Sequence, residues 1–202
     1  MPFCGESFAV ACLKTYHVAP PGKARWTLAE SVLCNRAPVL TLWGAVVAER
    51  LGHDRDAALT LGKCLSGLNA QSKGRRLGIF GPPKGPEGQP TRKAGLGEEF
   101  WVELCGRGLP CKNTPQGVRA VIGQDPIDPA TVQRYLEQKF GQDLPRVRSA
   151  MERLAKALEP AELAGQAFGL YEQFRPQIPP GRAGWGAKGV LDLDLIRSLA
   201  GE

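Results

Sequence analysis

Val47-Ala48-Glu49-Arg50-Leu51-Gly52-His53-Asp54-Arg55-Asp56-Ala57-Ala58-Leu59 reads as the end of one helix, a tight turn and the start of another. Gly52 has no Cβ and can take the left-handed backbone conformation that stops a helix. Asp54 then offers a side-chain acceptor to the exposed amides that open the next helix. Ala48, four residues before the glycine, is small enough to let two helices cross closely.

Working upstream, Pro38 suits the first turn of a helix because its missing amide is not needed there. Val39, Leu42, Trp43, Val46, Val47 and Leu51 follow at helical spacing. Before them Thr27–Asn35 reads as a first helix with Leu28, Val32 and Leu33 on one side. Phe8–Leu13 is a short apolar segment, a strand or a packed arm, ahead of Tyr16-His17 and the break at Pro20-Pro21-Gly22. Downstream of the turn, Asp54–Ser72 forms a helix with Ala58, Leu61, Leu65 and Leu68 as its apolar stripe. Arg55, Thr60, Lys63, Ser66, Asn69 and Lys73 fall largely off that stripe.

The period changes after Lys73-Gly74-Arg75-Arg76. Leu77–Phe80 is strand-like, residues 81–98 are rich in Gly and Pro and carry Lys84, Arg92 and Lys93, and Glu99–Cys105 resumes as a strand. Turn signals fill the stretch after Leu109, and Val118–Ile122 is a further strand. From Asp128 the pattern is helical: Ala130–Phe140 opened by Pro129, Leu144–Leu158, Ala161–Phe174 opened by Pro160, and a final helix over Asp192–Ala200. Val132, Tyr135, Leu136, Leu144, Val147, Met151 and Leu154 form the apolar stripe of this region. The expected fold class is mainly α within α+β. A basic unit of three helices and a small sheet spans 1–123, and a helical bundle or interaction region spans 124–202.

The 202 residues suit one domain or two small ones. The formal charge of +6 is uneven: residues 1–123 hold 16 Lys plus Arg against 9 Asp plus Glu, and residues 124–202 hold 10 against 11. A regional excess of this kind points to an anionic partner more sharply than a global isoelectric point does. No apolar run is long enough to cross a bilayer. The N-terminus lacks the basic and apolar regions of a secretion signal, so a soluble cytoplasmic protein is expected. Cys4, Cys12, Cys34, Cys64, Cys105 and Cys111 give no C-x-x-C pair, and they are expected as reduced structural thiols without metal or disulfide.

Three helices, a strand, a basic loop and a returning strand make the element order of the winged helix-turn-helix, and residues of about 26–105 resemble that family of DNA-binding domains. The third helix and the wing are both longer than is usual there. The resemblance implies that Arg55, Thr60 and Lys63 face DNA, with Ser66 and Asn69 as secondary contacts. It implies that Lys73, Arg75 and Arg76 neutralise phosphates, and that Lys84, Arg92 and Lys93 let the wing touch backbone or minor groove.

The first functional expectation is therefore a non-catalytic nucleic-acid-binding protein of duplex DNA, a transcriptional regulator, with DNA against RNA left open. No cofactor is expected, and the C-terminal helices offer a surface for a homodimer. A helical protein-interaction scaffold is the alternative. A small enzyme working between the two halves ranks third, using His17 or the glycine-rich loop Gly181–Gly189 with Trp185, while His53 reads as a polar residue of the turn. That loop lacks the strand-to-helix setting of a nucleotide fingerprint, and a docked surface loop is the better reading of it. Asp192 and Asp194 read as helix caps rather than ligands.

Overall fold

A computed structural model gives the structure of the chain over residues 30–76, 95–181 and 186–201, with the backbone alone for 73–76. The expectations for Phe8–Leu13, His17, Leu77–Phe80, Lys84, Arg92, Lys93 and Trp185 lie outside the described residues. In chain order the elements are β1 (Ser31–Cys34), α1 (Arg36–Arg50), α2 (Arg55–Arg76), β2 (Glu99–Leu104), β3 (Arg107–Thr114), β4 (Gly117–Ile122), β5 (Asp125–Pro126), α3 (Pro129–Phe140), α4 (Leu144–Lys156), α5 (Pro160–Phe174), β6 (Gly189–Asp192) and α6 (Leu193–Leu199). Helix and strand are mixed, as the α+β class requires.

The expected first helix is corrected. Ser31–Cys34 is a strand, with Val32 and Cys34 buried and Ser31 and Leu33 exposed. The helical reading put Val32 and Leu33 on one side, whereas the two-residue period of a strand sends them to opposite faces. β1 pairs antiparallel with β6, Leu33 opposite Val190 and Ser31 opposite Asp192.

α1 is the central element, and Pro38 to Ala48 are buried without a break. Eleven successive positions without a charge leave no solvated face, so the one-sided stripe expected from the sequence is really a helix enclosed all round. α2, α3, α4 and α5 pack about it. Trp43 is its anchor: the indole Nε1 donates to the Ala167 carbonyl at 2.7 Å, and the ring meets Phe174 edge-on at 5.3 Å. Buried Trp needs such a partner for its one donor.

Gly52, at φ +97°, makes the turn between α1 and α2. The two helices then stay in contact far from it. The Thr41 hydroxyl donates to Ser66 Oγ at 2.8 Å, and Gly44 packs against Gly62. Contact sustained through three turns describes an antiparallel hairpin, not two helices diverging at the 90–120° of a DNA-binding helix-turn-helix.

A four-stranded antiparallel sheet, in the order β2-β3-β4-β5, covers α2. β3 occupies a stretch the sequence reading filled with turns. Pro110 is tolerated in it, opposite Trp101 of β2. In the C-terminal region Asp128 caps α3 and Asp192 caps α6, each accepting from two backbone amides. Asp194 instead receives Arg197 and the Glu30 amide. The stripe of Val132, Leu136, Val147, Met151 and Leu154 is buried in the same continuous core as α1 and α2. The boundary expected at 123/124 therefore does not separate two cores, and this stripe is not the surface that a homodimer would need. Among the described residues no helix is long and apolar enough to cross a membrane.

Candidate nucleic-acid interface

Ala57 to Gly62 are six successive buried residues of α2. Each residue advances 100° around the helix, so six of them close the circle and leave no side free to enter a groove. α1, α3 and β4 supply the cover. Thr60 is fully buried, and its hydroxyl donates to the Ala57 carbonyl at 2.7 Å and accepts from the Ala120 amide at 3.0 Å. It fastens α2 to β4 and does not face a ligand. Ser66, expected as a secondary contact, is likewise buried between Thr41 and the Lys63 carbonyl.

The other expected contacts are spread along the helix. Arg55 is exposed at the N-terminus, while Lys63 and Asn69 are half-buried farther on. Lys73, Arg75 and Arg76 occupy the last turn of α2. Their side chains, like Lys84, Arg92 and Lys93, lie outside the described residues.

The N-terminus of α2 is acidic rather than receptive to phosphate. Asp54 caps it by accepting from the Ala57 amide at 2.9 Å, and Asp56 follows one residue after Arg55. Both face Arg119 of β4, whose guanidinium lies 3.2 Å from Asp56 and 4.0 Å from Asp54. Arg119 is buried and also donates to the Gln116 and Val118 carbonyls. Its five donors suit this arrangement of fixed acceptors. Sequence reasoning passed over Arg119. The available signal was one cation inside the apolar run Val118–Ile122, in a chain with two aspartates opening a helix.

Lys63 is the one expected contact held in a distinct setting. Its ammonium sits 4.1 Å from the ring centroid of Tyr135 on α3, and Lys139 approaches the same ring at 5.9 Å. Burial, and then the charge of Lys139, hold the Lys63 ammonium below its ordinary range. Neither lysine forms an ion pair with a carboxylate among the described residues.

On the far side of α1, Glu49 and Glu152 share Arg148, which bonds Glu49 Oε2 through Nη2 and Glu152 Oε1 through Nε at 2.7 Å. Arg50 donates to the Ala155 and Leu158 carbonyls and so closes the end of α4. A half-open cavity of about 340 Å³ lies beside these groups, lined also by Val46 and Lys156. The remaining Glu49 oxygen is buried without a hydrogen-bond partner.

Cys34, Cys64, Cys105 and Cys111 are buried free thiols, each pushed up to about 12 by burial, so they do not supply thiolate at neutral pH. His53 is half-buried in the turn, where burial lowers its pKa against the opposing pull of Asp54. Among the described residues no three His, Cys, Asp or Glu side chains gather as metal ligands. In the glycine-rich loop, Gly186 accepts from Asn35 Nδ2 at 2.8 Å. A Cβ on Gly189 would meet the Gln177 carbonyl oxygen at 2.7 Å. That glycine serves a close backbone approach.

The chain matches no protein-family model, no curated protein and no solved structure.

Proposed function

We propose that this chain is a non-catalytic cytoplasmic nucleic-acid-binding protein that holds the phosphate backbone, of duplex DNA first, through the C-terminal half of α2 and the basic segment after it. One observation carries the reading. α2 bears Arg55, Lys63, Lys73, Arg75 and Arg76 against a single acid, Asp56, and that acid is engaged by Arg119. Lys84, Arg92 and Lys93 add to the same excess in sequence. Of the winged-helix resemblance the order of helix, turn, helix, basic segment and strand remains, with α1 and α2 as an antiparallel hairpin. The burial of Ala57–Gly62 and the aspartates flanking Arg55 direct contact to phosphates rather than to base edges.

Fluorescence anisotropy of the full chain with labelled duplexes of several sequences tests this. Affinity should be similar across sequences and fall on the order of tenfold or more between 50 and 200 mM salt. Arg75→Ala combined with Arg76→Ala should weaken every duplex alike. Absence of binding at 50 mM salt overturns the proposal.

A second reading, a protein-interaction scaffold, draws on one observation. Leu33 and Val190 are cross-strand partners, exposed by 59 % and 44 %, on the outer face of the β1–β6 pair.

A further inference from the structure

Tyr135 and Lys139 stand four residues apart and therefore on one face of α3, and α2 packs against that helix and brings Lys63 to the same ring. Two ammonium groups approach one aromatic ring, and neither pairs with a carboxylate among the described residues. Lys112, Arg119, Arg146, Arg148, Arg175 and Arg197 have acidic partners, and Arg36 and Arg50 donate to backbone carbonyls. The acid nearest Lys139 along α3, Glu137, is engaged by Gln133 one turn back. A cation–π contact stabilises each ammonium, and like charges at short range oppose it. The Tyr135 hydroxyl has no protein partner among the described residues and reaches solvent, and burial raises its pKa, so it remains a neutral O–H donor. Two cations and a hydroxyl donor from two packed helices, unmatched by any acid, are the components of an oxyanion site.

We propose that Lys63, Lys139 and Tyr135 bind a phosphate group at the seam of α2 and α3. The proposal rests on the nucleic-acid reading for the source of that phosphate, a backbone phosphodiester, and it extends the interface from α2 onto α3. The two ammonium groups neutralise the phosphate oxygens, and the phosphate in turn relieves their mutual repulsion. A free phosphate ion shares this chemistry, and the experiment separates the two sources.

The full-length chain, Lys63→Gln with Lys139→Gln, and Tyr135→Phe are compared in two measurements. In the first, thermal melting is followed with inorganic phosphate at about 10 mM and with chloride at equal ionic strength, since a ligand bound only by the folded state raises the midpoint. Phosphate should raise the parent's midpoint and leave the double variant's unchanged. In chloride the double variant should melt close to the parent, because a repulsive pair is lost together with the ring contacts. In the second, anisotropy with a labelled duplex should show about tenfold weaker binding by the double variant and a salt slope reduced by about one. Tyr135→Phe should weaken binding about threefold, as expected for one hydrogen bond. A phosphate effect on melting confined to the parent, with no duplex binding by any protein, supports the site and overturns its nucleic-acid source. Duplex binding with equal affinity and slope in parent and double variant, and equal phosphate effects on melting, overturns the site while leaving the nucleic-acid reading standing.

Discussion

Gly62 lies against the backbone of Thr41: a Cβ placed on it would run into the Thr41 carbonyl oxygen and come within 2.8 Å of the Ala45 amide nitrogen. Hydrogen is the one side chain that fits where α1 and α2 meet. Gly62→Ala should therefore push the hairpin apart and destabilise the fold by roughly 1–3 kcal/mol or more, as overpacking does. Gly67, in the same helix, has nothing within 4 Å of a Cβ. Gly67→Ala should raise stability by about 0.5–1 kcal/mol through helix propensity. Gly52→Val, at φ +97°, should cost about 1 kcal/mol or more. Opposite signs at positions 62 and 67 in urea melts check the crossing.

Thr60 tests where α2 faces. Thr60→Val keeps the shape and removes the acceptor of the Ala120 amide, which should cost about 1–3 kcal/mol. Duplex affinity at low salt should stay at the parental value once folding is complete. A selective loss of binding without loss of stability would restore Thr60 to the interface.

Arg119→Met removes the donor to the Gln116 and Val118 carbonyls and frees Asp54 and Asp56. Stability should fall by about 1–3 kcal/mol. Binding of duplex DNA should weaken as well, because the acids beside Arg55 are then uncompensated. A variant as stable as the parent and equally active in binding would contradict the role assigned to Arg119.

His53 sets a pH dependence. Burial lowers its pKa from the ordinary 6.5, so the folded state favours the neutral ring. The corresponding stability is fully present above about pH 6.5 and is lost as pH falls through the folded-state value. Urea denaturation at pH 7.5 and pH 5.5 should show a smaller loss for His53→Asn than for the parent. Parallel losses would place the acid sensitivity elsewhere.

The turn, the six helices from α1 to α6 and the strands β2 and β4 were legible because each is announced locally. Gly52 and Asp54 mark the turn, Pro129 and Pro160 mark helix starts, and Glu99–Leu104 is β-rich. β1 was not legible, since four residues cannot show whether their period is two or 3.6, and its partner is distant in sequence. β3 was hidden by Pro110 and Asn113, which usually signal turns. The candidate site suffered most. Polar positions on α2 were assigned to solvent by helical phase alone, but what covers a helix is set by distant elements. Sheet β4 hides Thr60 and α1 hides Ser66, and neither contact has any trace in the local pattern. Lys63 stands out in the sequence as a cation off the apolar stripe, whereas its ring partner Tyr135 reads there as core.

The β1–β6 pair carries one further consequence. Glu30 and Asp194 bond across 164 residues of sequence, so this small sheet closes a very long loop. Closure entropy rises with loop length, and contacts between distant residues are slow to form. During synthesis β1 leaves the ribosome long before β6 and must wait for that partner until β6 has emerged. Its outward Leu33 and open edge make that interval the time at which a nascent chain is most exposed to pairing with a neighbour.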